Sequence, residues 1–274
     1  MAVTQAERGT AFAALHEGPG AFVIPNPWDA GTARILAALG HVALATTSAG
    51  AAFALGRRDG ACSRAETLAN ARLIVDATNL PVAADLENGF GDAPADAAET
   101  IRLAADAGLV GGSIEDATGN PAQPIYDLDH AAARIAAAVA ATRALPFRFT
   151  FAARADNFLH GRPDLPDTIR RLQAFEAMGA DVLYAPGLPD LDAVRAVCSA
   201  VTRPVNVLAA AGKGWTVQSL AGAGARRISV GGALSRAALT AVAQAGREML
   251  EAGTFGFLDR AMTTAEATSY MREG

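Results

Sequence analysis

The chain has 274 residues, of which 51% are hydrophobic and 19% charged, and its formal net charge is −5. This acidic balance speaks against nucleic acid as a partner, because nucleic acids select basic surfaces. No apolar run approaches the roughly 18 residues that a membrane-spanning helix needs, and the first ten residues lack the pattern of a secretory signal. We therefore expect a cytoplasmic protein without a membrane partner, in which Cys62 and Cys198 are free thiols.

A short apolar run followed by an alanine-rich helical stretch recurs along the chain. The predicted strands are residues 21–26, 42–47, 81–87, 110–116, 147–154, 180–186, 203–209 and 226–232. The helices that follow them are predicted at residues 29–40, 64–78, 94–108, 127–142, 165–179, 190–201, 215–224 and 235–253. Glycines stand where left-handed helix caps are wanted, at Gly40, Gly108, Gly179 and Gly253. The stretch 263–274 is a further predicted helix, begun by a threonine cap.

Eight strand–helix units predict a parallel sheet closed into a (β/α)8 TIM barrel. We expect residues 1–274 to form one barrel domain with a C-terminal helical extension. The alternative is an open, doubly wound sheet. That fold predicts a glycine-rich dinucleotide loop after the first strand, whereas this strand ends in "NPWD".

Polar residues are concentrated at the predicted strand ends, where a barrel of this kind builds its active site. They are Asn26, Trp28 and Asp29 after the first strand; Thr46, Thr47, Ser48 and Asp59 after the second; Asp85 and Glu87 after the third; Glu115 and Asp116 after the fourth; Arg154 and Asp156 after the fifth; and Asn206 on the seventh. Singly, each has an ordinary alternative, such as a helix cap, a polar turn or an ion pair between Arg154 and Asp156. Together they favour a functional site.

Asp85 and Glu87 are alternate residues of one strand, so both side chains point to the same side, and Glu115 on the next strand points there too. Three converging carboxylates repel one another, and a divalent cation removes that repulsion. Oxygen ligands without His or Cys favour Mg²⁺ or Mn²⁺. Arg154 then offers a fork for a substrate carboxylate.

Two other features of the sequence give no strong indication of a site. The four histidines fall in helix-like or loop positions, and we expect surface residues without a metal site at His16, His41, His130 and His160. The stretch "GAGARRISVGG" (222–232) contains glycines that leave a phosphate cradle open as an alternative, but no fuller phosphate motif surrounds them.

The strand-end motifs carry a family resemblance. "TTSAGAAFALGRRDG" (46–60), "ADLENGFGD" (84–92), "GGSIED" (111–116) and "AARADNF" (152–158) follow one another on successive strands. This ordered set resembles the isocitrate lyase / phosphoenolpyruvate mutase superfamily over most of the chain. The resemblance implies a (β/α)8 barrel whose last helix is exchanged between subunits, in dimers that pair into tetramers. It also implies Mg²⁺ and a small 2-oxo or 2-hydroxy carboxylic acid as substrate.

The resemblance further implies roles for individual residues. Asp85 matches the direct metal ligand, while Glu87 and Glu115 match acids that act through metal-bound water. Asp59, Arg154 and Glu115 are the expected catalytic residues, with Asp59 as the acid of the loop after strand 2. The expected substrate-binding residues are Thr47, Ser48, Arg154, Asn206 and Trp28; Thr47 and Ser48 would act through backbone N–H groups.

The departures from the family pattern concern the loops that handle the leaving fragment. The stretch "EDATGNPAQPIYDLD" (115–129) has Asn120 but lacks the Cys, Lys and His of lyase loops, and "YAPGLPD" (184–190) lacks the usual Glu or His. The part of the site that would bind the metal and stabilise an enolate matches the family pattern. It favours carbon–carbon cleavage of an oxaloacetate-like acid, in which water, Tyr126 or Asp59 would supply or accept the proton. Two alternatives stay open, namely a phosphonopyruvate mutase or hydrolase with Asp59 as nucleophile, and a non-catalytic metabolite-binding barrel. The loop 117–126 is either a gating lid or fixed open.

Overall fold

The computed structural model describes residues 3–271. Eight strands form one parallel sheet in the order β1-β8-β7-β6-β5-β4-β3-β2. They are β1 Phe22–Ile24, β2 Leu44–Ala45, β3 Val82–Asp85, β4 Gly111–Glu115, β5 Thr150–Arg154, β6 Val182–Tyr184, β7 Val205–Leu208 and β8 Arg227–Ser229. All eight predicted strands are present, and each is shorter than its predicted range.

The sheet closes between its two ends through polar contacts instead of a strand ladder. The backbone N–H of Ala45 in β2 donates to the carbonyl of Pro25, just after β1, at 3.0 Å. Asn26 adds a side-chain clamp: its Nδ2 donates to the Thr46 carbonyl at 3.1 Å, and its Oδ1 accepts from backbone N–H groups after β8 at 2.9 Å. The predicted (β/α)8 TIM barrel is confirmed, and the open-sheet alternative is wrong.

Helices surround the sheet in the predicted alternation. They are α1 Gln5–Glu17, α2 Ala30–Ala38, α3 Ser48–Ala54, α4 Arg64–Asp76, α5 Pro94–Asp106, α6 Leu128–Arg143, α7 Leu165–Ala177, α8 Leu191–Ala200, α9 Val217–Gly222, α10 Ala233–Arg247 and α11 Thr264–Tyr270. The glycine caps are confirmed, since Gly40, Gly108, Gly179 and Gly253 all have positive φ. None of these helices, within residues 3–271, is long and apolar enough to cross a membrane.

Two helices, α1 and α3, were not predicted. Helix α1 begins with a capping box between Thr4 and Glu7 and lies across the N-terminal end of the barrel, where Phe12 packs in an apolar cluster with Ile24 of β1 and Val110. Its approach is close enough that a Cβ at Gly9 would stand 2.3 Å from a backbone oxygen of Arg148. This helix closes the end of the barrel opposite the predicted site.

The chain after α10 continues through a π-helical turn, Glu248–Ala252, and a 3₁₀ turn, Gly256–Arg260, to α11. The predicted tail helix is confirmed over Thr264–Tyr270 with Thr263 as its cap, while residues 272–274 lie outside the described part of the chain. Helix α11 packs against α2, where Arg34 Nη1 donates to the Met271 carbonyl at 2.9 Å.

Candidate active site

Arg154, at the end of β5, lies at the centre of an acidic cluster. Its Nη1 is 2.9 Å from Asp85 Oδ1 at the end of β3. Its Nη2 is 2.9 Å from Glu115 Oε2 at the end of β4 and 2.9 Å from Asp156 Oδ2. The Nε group also donates to Asp156 Oδ1 at 3.2 Å. The strand-end acids therefore do lie together, and most of the arginine donors that we expected to bind a substrate carboxylate are directed at protein carboxylates.

The cluster holds more negative charge than this one arginine neutralises. Burial raises the pKa of Glu115 well above its ordinary value, and the neighbouring carboxylates of Asp156 and Asp85 add to the shift against the opposing effect of Arg154. Burial, followed by the charges of Asp85 and Asp59, raises the pKa of Glu87 to about 7. In addition, Glu87 Oε1 is buried without a hydrogen-bond partner among the described residues. Glu87 Oε1 is thus a buried hydrogen-bond acceptor that could bind a ligand or a cation.

The turn after β3 presents Glu87 through strained backbone. Glu87 has φ +49° and Phe90 has φ +59°, in the left-handed region that non-glycine residues rarely occupy. The turn is held from behind by Arg134 of α6, whose guanidinium donates to the carbonyls of Asn88, Gly91 and Asp92. Arg134 is 1% exposed and was not predicted as a site residue. The position of the Glu87 carboxylate therefore depends on a buried arginine in the helix that follows the next strand, β4.

Asp116 supports the cluster from outside the barrel interior. It is 2% exposed; its Oδ1 accepts the Asp156 N–H at 2.8 Å, and its Oδ2 is 3.1 Å from Arg171 Nη1 of α7. Burial raises the pKa of Asp116 to about 7. Glu115 and Asp116 thus point to opposite faces of the sheet, as neighbours in a strand must, and only Glu115 belongs to the site.

The end of β2 supplies contacts to Asp85. Thr46 Oγ1 accepts the Asp85 N–H at 3.1 Å, and the Ser48 N–H points at Asp85 Oδ2 at 3.4 Å. Thr47 is the N-cap of α3, since its Oγ1 accepts the Gly50 N–H at 3.3 Å. The polar turn predicted here is therefore the start of a helix whose first N–H group is directed at the acid cluster.

Two cavities meet at the cluster. The outer cavity has a volume of about 600 Å³ and opens at the barrel mouth; its lining includes Ser48, Asp59, Cys62, Glu87, Glu115, Arg154, Asp156 and His160. The inner cavity, about 60 Å³, lies within the barrel and is lined by residues including Thr47, Asp85, Arg154, Tyr184, Asn206 and Arg227. Ser48 and Asp59 therefore line the outer cavity, and Asn206 lines the inner one.

Several predicted residues lie elsewhere. Trp28 faces a separate apolar groove between α3 and α10, and Asn26 clamps the barrel closure as described above. Asp29 is the N-cap of α2. Tyr126 was a candidate for the proton, but its hydroxyl donates to Asp92 Oδ1 at 2.5 Å, and its ring packs under Arg134, 4.7 Å from the guanidinium carbon. Tyr126 lines neither of the two cavities.

The expectation of a surface position is wrong for one histidine, His16. His16 is 6% exposed, on the inner side of α1, and burial together with the charge of Arg227 lowers its pKa to about 3. His160 lies on the surface but at the mouth, with a ring nitrogen within 4.8 Å of carboxylate oxygens of Glu115 and Asp156, a grouping that could hold a metal ion. The loop after β5 places His160 at the barrel mouth, and no local sequence pattern indicated the conformation of this loop.

The glycines near β8 do not form a phosphate cradle. The backbone N–H groups of Val230 and Gly231 both donate to Asn26 Oδ1 at 2.9 Å. They are therefore committed to closing the barrel. The residues that sequence reasoning missed on this side are Tyr184, Arg227 and Ser229, which line the inner cavity with their polar groups.

Fold and geometry define a (β/α)8 barrel with an oxygen-ligand site at the C-terminal ends of its strands. Residues 12–250 match the family described as phosphoenolpyruvate phosphomutase, and the chain belongs to this family. The predicted isocitrate lyase / phosphoenolpyruvate mutase superfamily is thereby confirmed.

The chain is similar to proteins of several bacteria. A solved structure from Burkholderia cenocepacia J2315, whose activity is given only as lyase or mutase, is 56% identical, with a TM-score of 0.96 over 98% of this chain and 97% of that one. An uncharacterised protein of Mycobacterium tuberculosis is 32% identical over 235 residues, 85% of this chain and 86% of the relative.

Relatives with named activities include carbon–carbon lyases. The 2-methylisocitrate lyase of Escherichia coli is 29% identical over 205 residues, 72% of this chain and 68% of the relative. An oxaloacetate decarboxylase of Bradyrhizobium diazoefficiens is 31% identical over 134 residues, 47% of this chain and 45% of the relative. The family to which the chain belongs is therefore one of enzymes that act on small organic acids.

Proposed function

We propose that the protein is a Mg²⁺-dependent lyase or decarboxylase that cleaves a carbon–carbon bond in a small 2-oxo or 2-hydroxy carboxylic acid, such as an oxaloacetate-like acid. The observation that carries this proposal is the excess of carboxylates around Arg154, together with the buried, unpartnered Oε1 of Glu87. An acid cluster of this kind at the mouth of a barrel is where this fold places its chemistry. The named lyases among the relatives support the reaction class.

The donor set fits the cation. Asp85, Glu87 and Glu115 offer carboxylate oxygens, the ligands that Mg²⁺ prefers, and Mn²⁺ accepts the same set. When bound, the cation would polarise the 2-oxo group of the acid and stabilise an enolate-like charge. Asp85 is the proposed direct ligand, with Glu87 and Glu115 holding metal-bound water.

The remaining residues of the cluster position these ligands. Arg154 forms ion pairs with Asp85, Glu115 and Asp156 and so offsets the repulsion between their carboxylates. Ser48, through its N–H, is proposed to help hold the substrate carboxylate at the cluster, with Thr47 beside it and Asn206 on the opposite wall of the inner cavity. Trp28 lies outside both cavities and takes no part in this proposal.

Asp59 is the proposed proton-handling residue at the mouth. It lies in the loop before α4, lines the outer cavity, and has no ion pair within residues 3–271. Its carboxylate accepts only the N–H of the next residue, Gly60, at 3.0 Å. Its carboxylate is therefore available to a substrate at the mouth.

The position of Asp59 also favours a second candidate function, a phosphonopyruvate mutase or hydrolase in which Asp59 is the nucleophile. A carboxylate facing the outer cavity is available for that attack. No lysine lies in the loop 117–126 to offset phosphoryl charge, so carbon–carbon cleavage is preferred.

The function is tested by measuring release of the 2-oxo acid product, which is glyoxylate from isocitrate and pyruvate from oxaloacetate and 2-methylisocitrate. Oxaloacetate, 2-methylisocitrate, isocitrate, 2-alkylmalates and phosphonopyruvate are each offered with Mg²⁺ or with EDTA. Cleavage of a carboxylic acid without phosphorus supports the lyase. Phosphate release from phosphonopyruvate, or its conversion to phosphoenolpyruvate, supports the second candidate. Binding of oxalate without turnover of any compound supports a binding barrel.

We also propose that the protein is a homo-oligomer, a dimer or tetramer. Large apolar side chains are exposed along α10 and the turns after it: Leu239, Val242, Met249, Leu250, Phe255 and Leu258. Val242 is 69% and Leu250 86% exposed. Contiguous apolar surface of this kind marks an interaction site, and the groove between α3 and α10 that contains Trp28 continues it.

A further inference from the structure

Arg227 is a buried cation that no carboxylate accompanies. It is 6% exposed at the start of β8, and its side chain points into the barrel. Nε donates to Asn206 Oδ1 at 2.9 Å, and Nη1 is 3.3 Å from His16 Nε2. Nη2 has no hydrogen bond with any residue between 3 and 271, and Arg227 forms no ion pair there. Arg154, by contrast, has three carboxylate partners.

The neighbours of Arg227 are neutral and fixed in place. Asn206 Nδ2 donates to Ser229 Oγ at 3.0 Å, and Tyr184 lines the same cavity. Burial lowers the pKa of Arg227 to about 10, so the guanidinium remains charged at neutral pH. A buried charge without a counter-ion is costly, and an anion bound beside it would offset that cost.

The space beside Arg227 has room for an anion. The inner cavity of about 60 Å³ exceeds several-fold the roughly 10–15 Å³ that one water molecule needs. Small residues leave this space open, namely Ala45, Ala83 and Gly112. Asp85, Thr47 and Arg154 line the same cavity, so it adjoins the proposed metal site directly.

We propose that the inner cavity is a carboxylate subsite, in which Arg227 and Ser229 bind a carboxylate group of the organic acid substrate. A planar carboxylate matches the planar fork of a guanidinium. The presence of Asp85 on the wall towards the mouth favours a single negative charge over a doubly charged group. That the carboxylate belongs to the substrate rests on the proposed function, whereas binding of a small carboxylate does not.

The first experiment uses formate as the probe, without Mg²⁺. Thermal unfolding is followed against sodium formate, with sodium chloride at equal ionic strength as reference. A ligand that binds only the folded state raises Tm saturably. We expect such a rise for the wild type and for the control Arg195→Gln, whose arginine lies in an exposed pair with Asp192. The rise should be absent in Arg227→Gln.

A second variant keeps the proposal testable if Arg227→Gln does not fold. Ala45→Val retains Arg227 and fills part of the cavity, so it should also lose the formate response. Equal stabilisation of the wild type and both variants by formate, or by formate and chloride alike, would overturn the subsite.

The second experiment decides where the carboxylate comes from. Oxalate affinity is measured calorimetrically with Mg²⁺. A loss of at least about tenfold in Arg227→Gln and Ala45→Val supports a substrate carboxylate in the cavity. Unchanged oxalate affinity in variants that no longer respond to formate would overturn the substrate assignment. If the wild type binds no oxalate with Mg²⁺, the proposed function fails, and the formate result alone decides the subsite.

Discussion

Arg154 Nη1 lies 2.9 Å from Asp85 Oδ1, which ties the end of β5 to the end of β3 across the intervening strand. The same guanidinium contacts Glu115 and Asp156, so one cation holds three carboxylates that belong to three different segments. This relationship makes Arg154 a residue of both the fold and the site. The cluster nevertheless contains more carboxyl groups than one guanidinium can neutralise, and this excess is the basis of the proposed metal dependence.

Replacing Arg154 with methionine should destabilise the protein strongly. The change leaves buried carboxylates without their cation, and breaking a buried ion pair from one side costs about 3–5 kcal/mol. Urea unfolding at pH 7 measures the loss. The control Arg195→Met removes an exposed pair and should cost less than about 1 kcal/mol. Equal losses in the two variants would contradict the role given to Arg154.

The arrangement of strands and helices could be predicted from the sequence because each strand–helix unit repeats the same local pattern. The acids of β3 and β4 could also be placed, because alternation along a strand fixes which side chains face the mouth. Glu115 and Asp116 illustrate the rule, since the first lies in the cluster and the second supports it from the opposite face.

Other parts of the site depend on contacts far apart in the chain, which no local pattern contains. Arg227 of β8 reaches His16 of α1, and α1 itself was not predicted because its alanine- and glycine-containing sequence has no clear apolar face. Trp28 was placed near the mouth by its position after the first strand, but its side chain faces the groove between α3 and α10. Tyr126 had no predicted position, and its hydroxyl donates to Asp92.

His16 should make stability fall on mild acidification. Its pKa is lowered from 6.5 to about 3 in the folded protein, so below pH 6.5 the unfolded chain binds a proton that the folded chain does not. Stability is therefore lost as the pH falls from 6.5 towards 3. The linkage amounts to about 1.36 kcal/mol per pH unit. Between pH 6.5 and 5, the free energy of unfolding of His16→Gln should therefore fall by about 2 kcal/mol less than that of the wild type.

Urea unfolding at several pH values measures this difference, with Thr10→Ala on the exposed side of α1 as the control. Parallel stability curves for wild type and His16→Gln would show that His16 is protonated in the folded protein.

The apolar surface of α10 should hold subunits together. Leu250→Glu places a charge on a side chain that is 86% exposed in the single chain, so it should lower the oligomeric state without unfolding the barrel. Light scattering coupled to gel filtration gives the mass. Met178→Glu, beside the end of α7 on another side of the barrel, is the matched control and should leave the mass unchanged. A wild-type monomer at micromolar concentration would contradict the proposed oligomer.

Asp59 distinguishes the two candidate reactions. If Asp59 handles a proton, Asp59→Asn should reduce carbon–carbon cleavage by about 10²–10⁴-fold, the usual contribution of general acid–base catalysis. Steady-state kinetics with the accepted acid measure this. If the protein instead releases phosphate from phosphonopyruvate, Asp59→Ala should abolish that release. Full phosphate release by Asp59→Ala would exclude Asp59 as the nucleophile.

The most direct test of the central claim is pyruvate release from oxaloacetate and related acids, with Mg²⁺ and with EDTA, by the wild type and by Asp85→Ala. The proposed function predicts turnover of at least one acid that requires both Mg²⁺ and Asp85. Turnover that persists in EDTA or in Asp85→Ala would contradict an enolate chemistry organised by the acid cluster.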